Sequence, residues 1–92
     1  MALELRVDLA DEITLTAIVR NPDRIRWDMA AARNGWPSLE NSPFLGLTYL
    51  AWAALKREGK YADTWDNFKD RDCLDVFVEH DDEADDADEA GK

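Results

Sequence analysis

Ser42-Pro43-Phe44-Leu45-Gly46-Leu47-Thr48-Tyr49-Leu50-Ala51-Trp52-Ala53-Ala54-Leu55-Lys56-Arg57-Glu58-Gly59 reads as one helix with both ends marked and apolar residues around most of its circumference. Ser42 is placed to accept hydrogen bonds from the first free amides, Pro43 suits the first helical position, and Gly59 can take the left-handed conformation that closes a last turn. At about 100° per residue, Phe44, Leu47, Ala51 and Leu55 form one stripe, while Leu45, Tyr49, Trp52 and the stem of Lys56 form another well round from it. A small core covers one stripe. The second requires a neighbour folded over it or another protein chain, which makes Leu45, Tyr49, Trp52 and Lys56 candidate partner-binding residues.

Upstream of this helix, Leu3, Leu5, Val7 and Leu9 alternate with Glu4, Arg6 and Asp8, the period of a strand with one buried face. After Ala10-Asp11-Glu12 the alternation resumes, with Ile13, Leu15, Ala17 and Val19 set against Thr14, Thr16 and Ile18, so the two runs read as a hairpin. Asn21-Pro22-Asp23 reads as a helix start, with Asn21 as the cap and the proline at the first position, and Asn34-Gly35 as its stop. Between them Ile25, Met29 and Ala32 form an expected buried stripe. Trp36-Pro37-Ser38-Leu39-Glu40-Asn41 is then a short loop whose Trp36 and Leu39 fold back as anchors, which gives a helical hairpin.

Downstream, Asp63-Thr64 starts a shorter helix with Trp65 and Phe68 on one side, suited to packing against the preceding helix. Leu74, Val76 and Val78 alternate with Cys73, Asp75, Phe77 and Glu79, a third strand most simply added to the edge of the hairpin. The predicted fold class is α+β. It comprises one small domain over residues 1–79, with an amino-terminal β-hairpin, two main helices, one short helix and a third strand, followed by an acidic tail at 80–92. From Glu79 onward the sequence holds eight acids and one lysine, −7 of the net −10, and lacks the apolar residues that offset the entropy of ordering, so this tail is expected to be disordered.

The composition narrows the function. A 92-residue domain buries only about 60–65% of the surface its unfolded chain exposes, which leaves little room for a deep catalytic cleft. Twenty-one acids against eleven bases repel phosphate backbones and anionic membranes, so neither nucleic acid nor membrane is an expected partner. The amino terminus has no cationic region followed by an apolar run, and the long helix falls short of a bilayer span. One cysteine, Cys73, has no internal disulfide partner, which fits a reducing cytoplasm and reads as a small core residue rather than a reactive thiol.

No catalytic, cofactor or metal site is expected. His80 is the one histidine and lies at the start of the tail, one cysteine and one histidine cannot make a zinc set, and the 81–89 acids lack the mid-loop glycine of a calcium loop. Asp63 and Asp66 are explained by capping and by the helix dipole. Of the four tryptophans, Trp36 and Trp65 read as core. Trp27 lies off the Ile25, Met29, Ala32 stripe and Trp52 on the second stripe of the long helix, so either is a candidate interface anchor.

The order of features is a hairpin, a helix opening Asn21-Pro22-Asp23-Arg24-Ile25-Arg26-Trp27-Asp28, the block Leu47 to Gly59, then Thr64-Trp65-Asp66-Asn67-Phe68 and the acidic strand Asp75-Val76-Phe77-Val78-Glu79. Over about residues 13 to 79 this resembles the tail assembly chaperones of long-tailed bacteriophages, notably those infecting actinobacteria. That family repeats a helix ending like Ala-Trp-x-Ala-Leu-Lys-Arg-x-Gly, a Thr-x-x-x-Phe segment and an acidic end. The resemblance implies a non-enzymatic protein of the host cytoplasm, absent from the mature virion. Such a protein coats the tape measure protein, keeps it soluble and helps recruit tail tube subunits through a longer product made by ribosomal frameshifting. Gly91-Lys92 is compatible with a slippery codon run, and self-association is also open. The alternatives are a minor virion or head-to-tail connector protein and an acidic DNA-mimic inhibitor. For the long helix, Trp52→Ala or Tyr49→Ala is expected to weaken association more than folding, whereas Leu47→Ala or Leu55→Ala is expected to cost about 2 to 5 kcal/mol of stability.

Overall fold

Alternation with no glycine or proline makes two seven-residue strands, β1 (Leu3–Leu9) and β2 (Ile13–Val19), paired antiparallel from Leu3 opposite Val19 to Leu9 opposite Ile13. The computed structural model that shows this describes residues 3–81. A helical turn over Ala10–Glu12 joins the strands, with Asp11 and Glu12 both at positive φ (68° and 61°). The inward residues Leu5, Val7, Ala17 and Val19 are completely buried, each stabilising the fold by roughly 1.5–3 kcal/mol for the larger side chains.

Helix α1 (Asn21–Asn34) begins one residue earlier than its proline signal suggests. Arg20 takes the cap position instead of Asn21, and the Asp23 carboxylate accepts the Arg20 backbone N–H at 2.9 Å. Gly35, at φ 68°, ends α1 in the left-handed conformation expected of it. Helix α2 (Pro43–Arg57) keeps proline in its first turn, and Gly59, at φ 75°, follows its end. Ser42 is its cap residue by position, but its hydroxyl accepts no capping hydrogen bond. Gly46 permits a close approach, since a Cβ there would lie 1.9 Å from a methyl of Leu39.

The short helix α3 (Trp65–Asn67) is capped as its sequence indicates, with the Thr64 hydroxyl accepting the Asn67 N–H at 3.1 Å. A π-helical turn over Phe68–Asp72 buries Phe68 completely and leads into β3 (Cys73–Asp81). The third strand pairs antiparallel with β1, giving the order β2-β1-β3 and an α+β fold in which α2 lies across the sheet. Strand β3 runs two residues past the boundary read at Glu79. The remaining residues assigned to a disordered tail, 82–92, lie outside the described ones.

Burial corrects two helical faces. On α1 the buried residues are Asp23, Trp27 and Ala30, while Ile25 and Met29 are half exposed or more and Ala32 is exposed. On α2 the core stripe holds at Ala51 and Leu55, both completely buried, is half-covered at Leu47, and fails at Phe44, which is 86% exposed. The physical reason is a neighbour on the other side of α2. Helix α1, the 36–39 loop and the α3 turn fold over the second stripe, so that stripe is covered from within the chain.

Strand β3 is also bent by two irregularities. Val76 sits opposite Val7 and Cys73 opposite Leu9, so Leu74 is an extra residue squeezed out of the ladder, and it is 67% exposed instead of facing inward with Val76.

Candidate functional site

Four of the five residues read as partner-binding converge on one aromatic cluster. Trp27 stacks on Trp36 with centroids 5.8 Å apart, and Tyr49 touches Trp27, Trp36, Trp52 and Trp65 at 5.0 to 5.9 Å. The Lys56 ammonium lies 5.5 Å from the centre of the Trp52 ring. The fifth residue, Leu45, is half-buried against the core.

The cluster is packing rather than a free surface. Trp27 and Tyr49 are 5% and 7% exposed, so neither is available as an anchor, and truncating Tyr49 opens the core instead of an interface. The half-buried Trp52 donates its indole N–H to the Asp63 carbonyl at 3.1 Å, which ties α2 to the start of α3. Burial pushes the Tyr49 phenol pKa up, with Arg33 and Arg26 pulling it back. Trp36 and Trp65 are half-buried against the core, in keeping with their reading as packing residues.

Charged groups hold these elements in place. Asp23 is completely buried and accepts from Arg57 Nε at 3.0 Å and Nη2 at 3.0 Å, and the same Nη2 donates to the Ile18 carbonyl at 2.7 Å. One ion pair thus joins the start of α1, the end of α2 and β2. Lys60 Nζ donates to the Thr16 carbonyl at 2.9 Å, so two cations cover the free edge of β2. The Asp63 carboxylate accepts from Asn67, Thr64 and Arg71, which hold it below the ordinary carboxylate range, consistent with a capping role.

Among the described residues the other edge has no such cover. Over residues 73–79 no lysine or arginine among the described residues donates to a β3 backbone carbonyl. Beside this edge runs a groove of about 250 Å³ lined by Phe44, Leu47, Thr48, Lys69, Cys73, Leu74, Asp75 and Val76. Phe44 and Leu74 are its two most exposed apolar members. Sequence reading assigned both to the core. The available signals were the position of Phe44 in the first helical turn, directly after Pro43, and the adjacent apolar pair Cys73-Leu74, which breaks strict alternation. Burial pushes the Cys73 thiol pKa up to about 11, so at neutral pH it is a protonated, weakly reactive group in the groove wall.

Among the described residues no helix is long and apolar enough to cross a membrane, and no group of three or more His, Cys, Asp or Glu side chains is arranged to hold a metal ion. The chain matches no family model, no curated protein and no solved structure.

Proposed function

We propose that this protein is a phage tail assembly chaperone of the short, pre-frameshift type. It acts by binding, without catalysis, and covers apolar segments of the long helical tape measure protein until the tail tube closes around it. The observation that carries the reading is the pair Phe44 and Leu74, 86% and 67% exposed on one apolar groove in a domain whose other aromatic side chains are mostly packed. An amphipathic helix can lay apolar residues into such a groove, with Lys69 and Asp75 on the rim selecting its register by charge. The order and spacing of the sequence blocks between residues 13 and 79 point to the same class of protein. A longer frameshift product sharing this body would bring tail tube subunits to the coated partner, and the acidic residues from Glu79 onward would keep the complex in solution.

The test is expression of the gene with its native downstream DNA. A minor second product that shares this body and diverges near Gly91 is the expected result, detected by mass spectrometry and an antibody to the first residues. Presence of the chain in purified virions at stoichiometric amounts would overturn the chaperone reading in favour of a connector.

A further inference from the structure

The groove beside β3 has an acidic border. Lys69 brings an ammonium to it, but that charge is already engaged, with Nζ 2.9 Å from Asp70 and 3.5 Å from Asp66. Both of those carboxylates stay largely exposed. Asp75 lines the groove itself, is exposed, and accepts only the Val76 backbone N–H, at 3.1 Å, among the described residues. The next cation, Arg71, is held by Asp72 at 2.7 Å and Asp63 at 2.8 Å, so it adds no spare positive charge. Cys73 in the groove wall senses the same field: burial is the largest cause of its raised thiol pKa, and the charges of Asp75 and Asp8 push it further up.

The floor of the groove is apolar and small. Its volume of about 250 Å³ falls below the roughly 300–1,000 Å³ of sites that enclose small molecules, so it suits one or two side chains of a larger partner rather than a whole ligand. Phe44 comes from the first turn of α2 and Leu74 from the bulge in β3, and both are exposed. Val78 faces the same side of the sheet as Val76, is half exposed, and prolongs the apolar line along the strand. A helix laid along that line presents apolar residues three or four apart, and the residues flanking its stripe meet the carboxylates.

We infer that the groove takes a basic amphipathic helix, its apolar stripe against Phe44, Leu74 and Val78 and its flanking lysines or arginines against Asp66, Asp70 and Asp75. The inference rests on the proposed function's choice of this groove and names the chemistry of the partner. An acidic helix with the same stripe is rejected, because its flanks add like charge to the border.

The probes are two synthetic peptides of about 18 residues with the same leucine stripe, one flanked by lysines and one by glutamates, titrated against the full chain by fluorescence anisotropy. At about 0.1 M salt the lysine peptide should bind at least about ten-fold more tightly, and about 1 M salt, which shortens the screening length from about 10 Å to about 3 Å, should remove most of the difference. Phe44→Ala with Leu74→Ala should weaken the lysine peptide about ten-fold or more. The triple variant Asp66→Asn, Asp70→Asn, Asp75→Asn should abolish the preference for lysine. Glu4→Gln, Glu12→Gln, Asp28→Asn removes the same charge from residues that do not line the groove and should keep it. If the first triple variant does not fold, Asp75→Asn alone, at an exposed strand position, should reduce the preference several-fold. Equal binding of the two peptides, weakened by Phe44→Ala with Leu74→Ala, would overturn the basic partner and leave the groove standing. No binding of either peptide, or binding indifferent to that double variant, would overturn both. A preference lost equally in the two triple variants would make the attraction a property of net charge and overturn the inference.

Discussion

Strands β2 and β3 are both edges of the same three-stranded sheet, yet they are finished in opposite ways. On β2, Arg57 and Lys60 reach over from the end of α2 and donate to the Ile18 and Thr16 carbonyls. On β3 no comparable donor among the described residues arrives over residues 73–79. Instead the strand is bent at Leu74 and flanked by Phe44. An edge with satisfied carbonyls and a cationic cover resists pairing with another chain, whereas a bulged edge beside exposed apolar side chains offers a binding surface without a flat template for sheet growth. Under the proposed function, β3 is the binding side of this domain and β2 the structural side.

The contrast breaks first at Asp23. Asp23→Ala removes a completely buried carboxylate that accepts from the Arg57 guanidinium and the Arg20 backbone N–H, and at about 1.5–3 kcal/mol for each such charge-assisted hydrogen bond it is expected to cost about 3–5 kcal/mol by denaturant unfolding. Next comes the division of α2 itself. Leu55→Ala, at a completely buried position, is expected to cost about 2–5 kcal/mol, while Phe44→Ala at the open end should stay within about 0.5 kcal/mol of the parent. Equal losses at the two positions would show that Phe44 is covered in solution.

Smaller effects sharpen the edges separately. Lys60→Ala removes one exposed cover of β2 and should cost about 0.5–1.5 kcal/mol, with faster amide exchange confined to β2. At the start of β3, Arg71 first and Tyr61 second hold the Asp72 carboxyl down to about 2. Its contribution to stability is therefore complete above the ordinary carboxylate pKa of about 4 and is lost as pH falls through about 2. A carboxyl titration by NMR should show this, and Tyr61→Phe should move the Asp72 value upward without disturbing β2.

Most of the fold was legible because its signals are local. The strand limits 3–9 and 13–19 follow from alternation, and the ends of α2 from Pro43 and Gly59. What could not be read depends on partners far along the chain. Asp23 looks like an ordinary helix-start acid until Arg57, 34 positions away, closes on it. Trp27 and Tyr49 look like spare apolar surface until α1 and the α3 turn fold over α2. Ile25 and Met29 have helical spacing, but α1 turns its Asp23, Trp27, Ala30 face inward because that face carries the large aromatic ring and the buried carboxylate. Of the five candidate binding residues, Lys56 is exposed, Leu45 and Trp52 are half-buried and Trp27 and Tyr49 are buried, so the proposed function rests on the exposed Phe44 and Leu74 instead.

If the proposed function holds, the most direct measurement is co-expression of this chain with a tape measure protein encoded beside its gene, comparing the parent with the Phe44→Asp, Leu74→Asp double variant. The expected result is a variant that melts within a few degrees of the parent while soluble, co-purifying tape measure protein is lost. Undiminished co-purification with a stably folded variant would contradict the assignment of the β3 edge as the binding side.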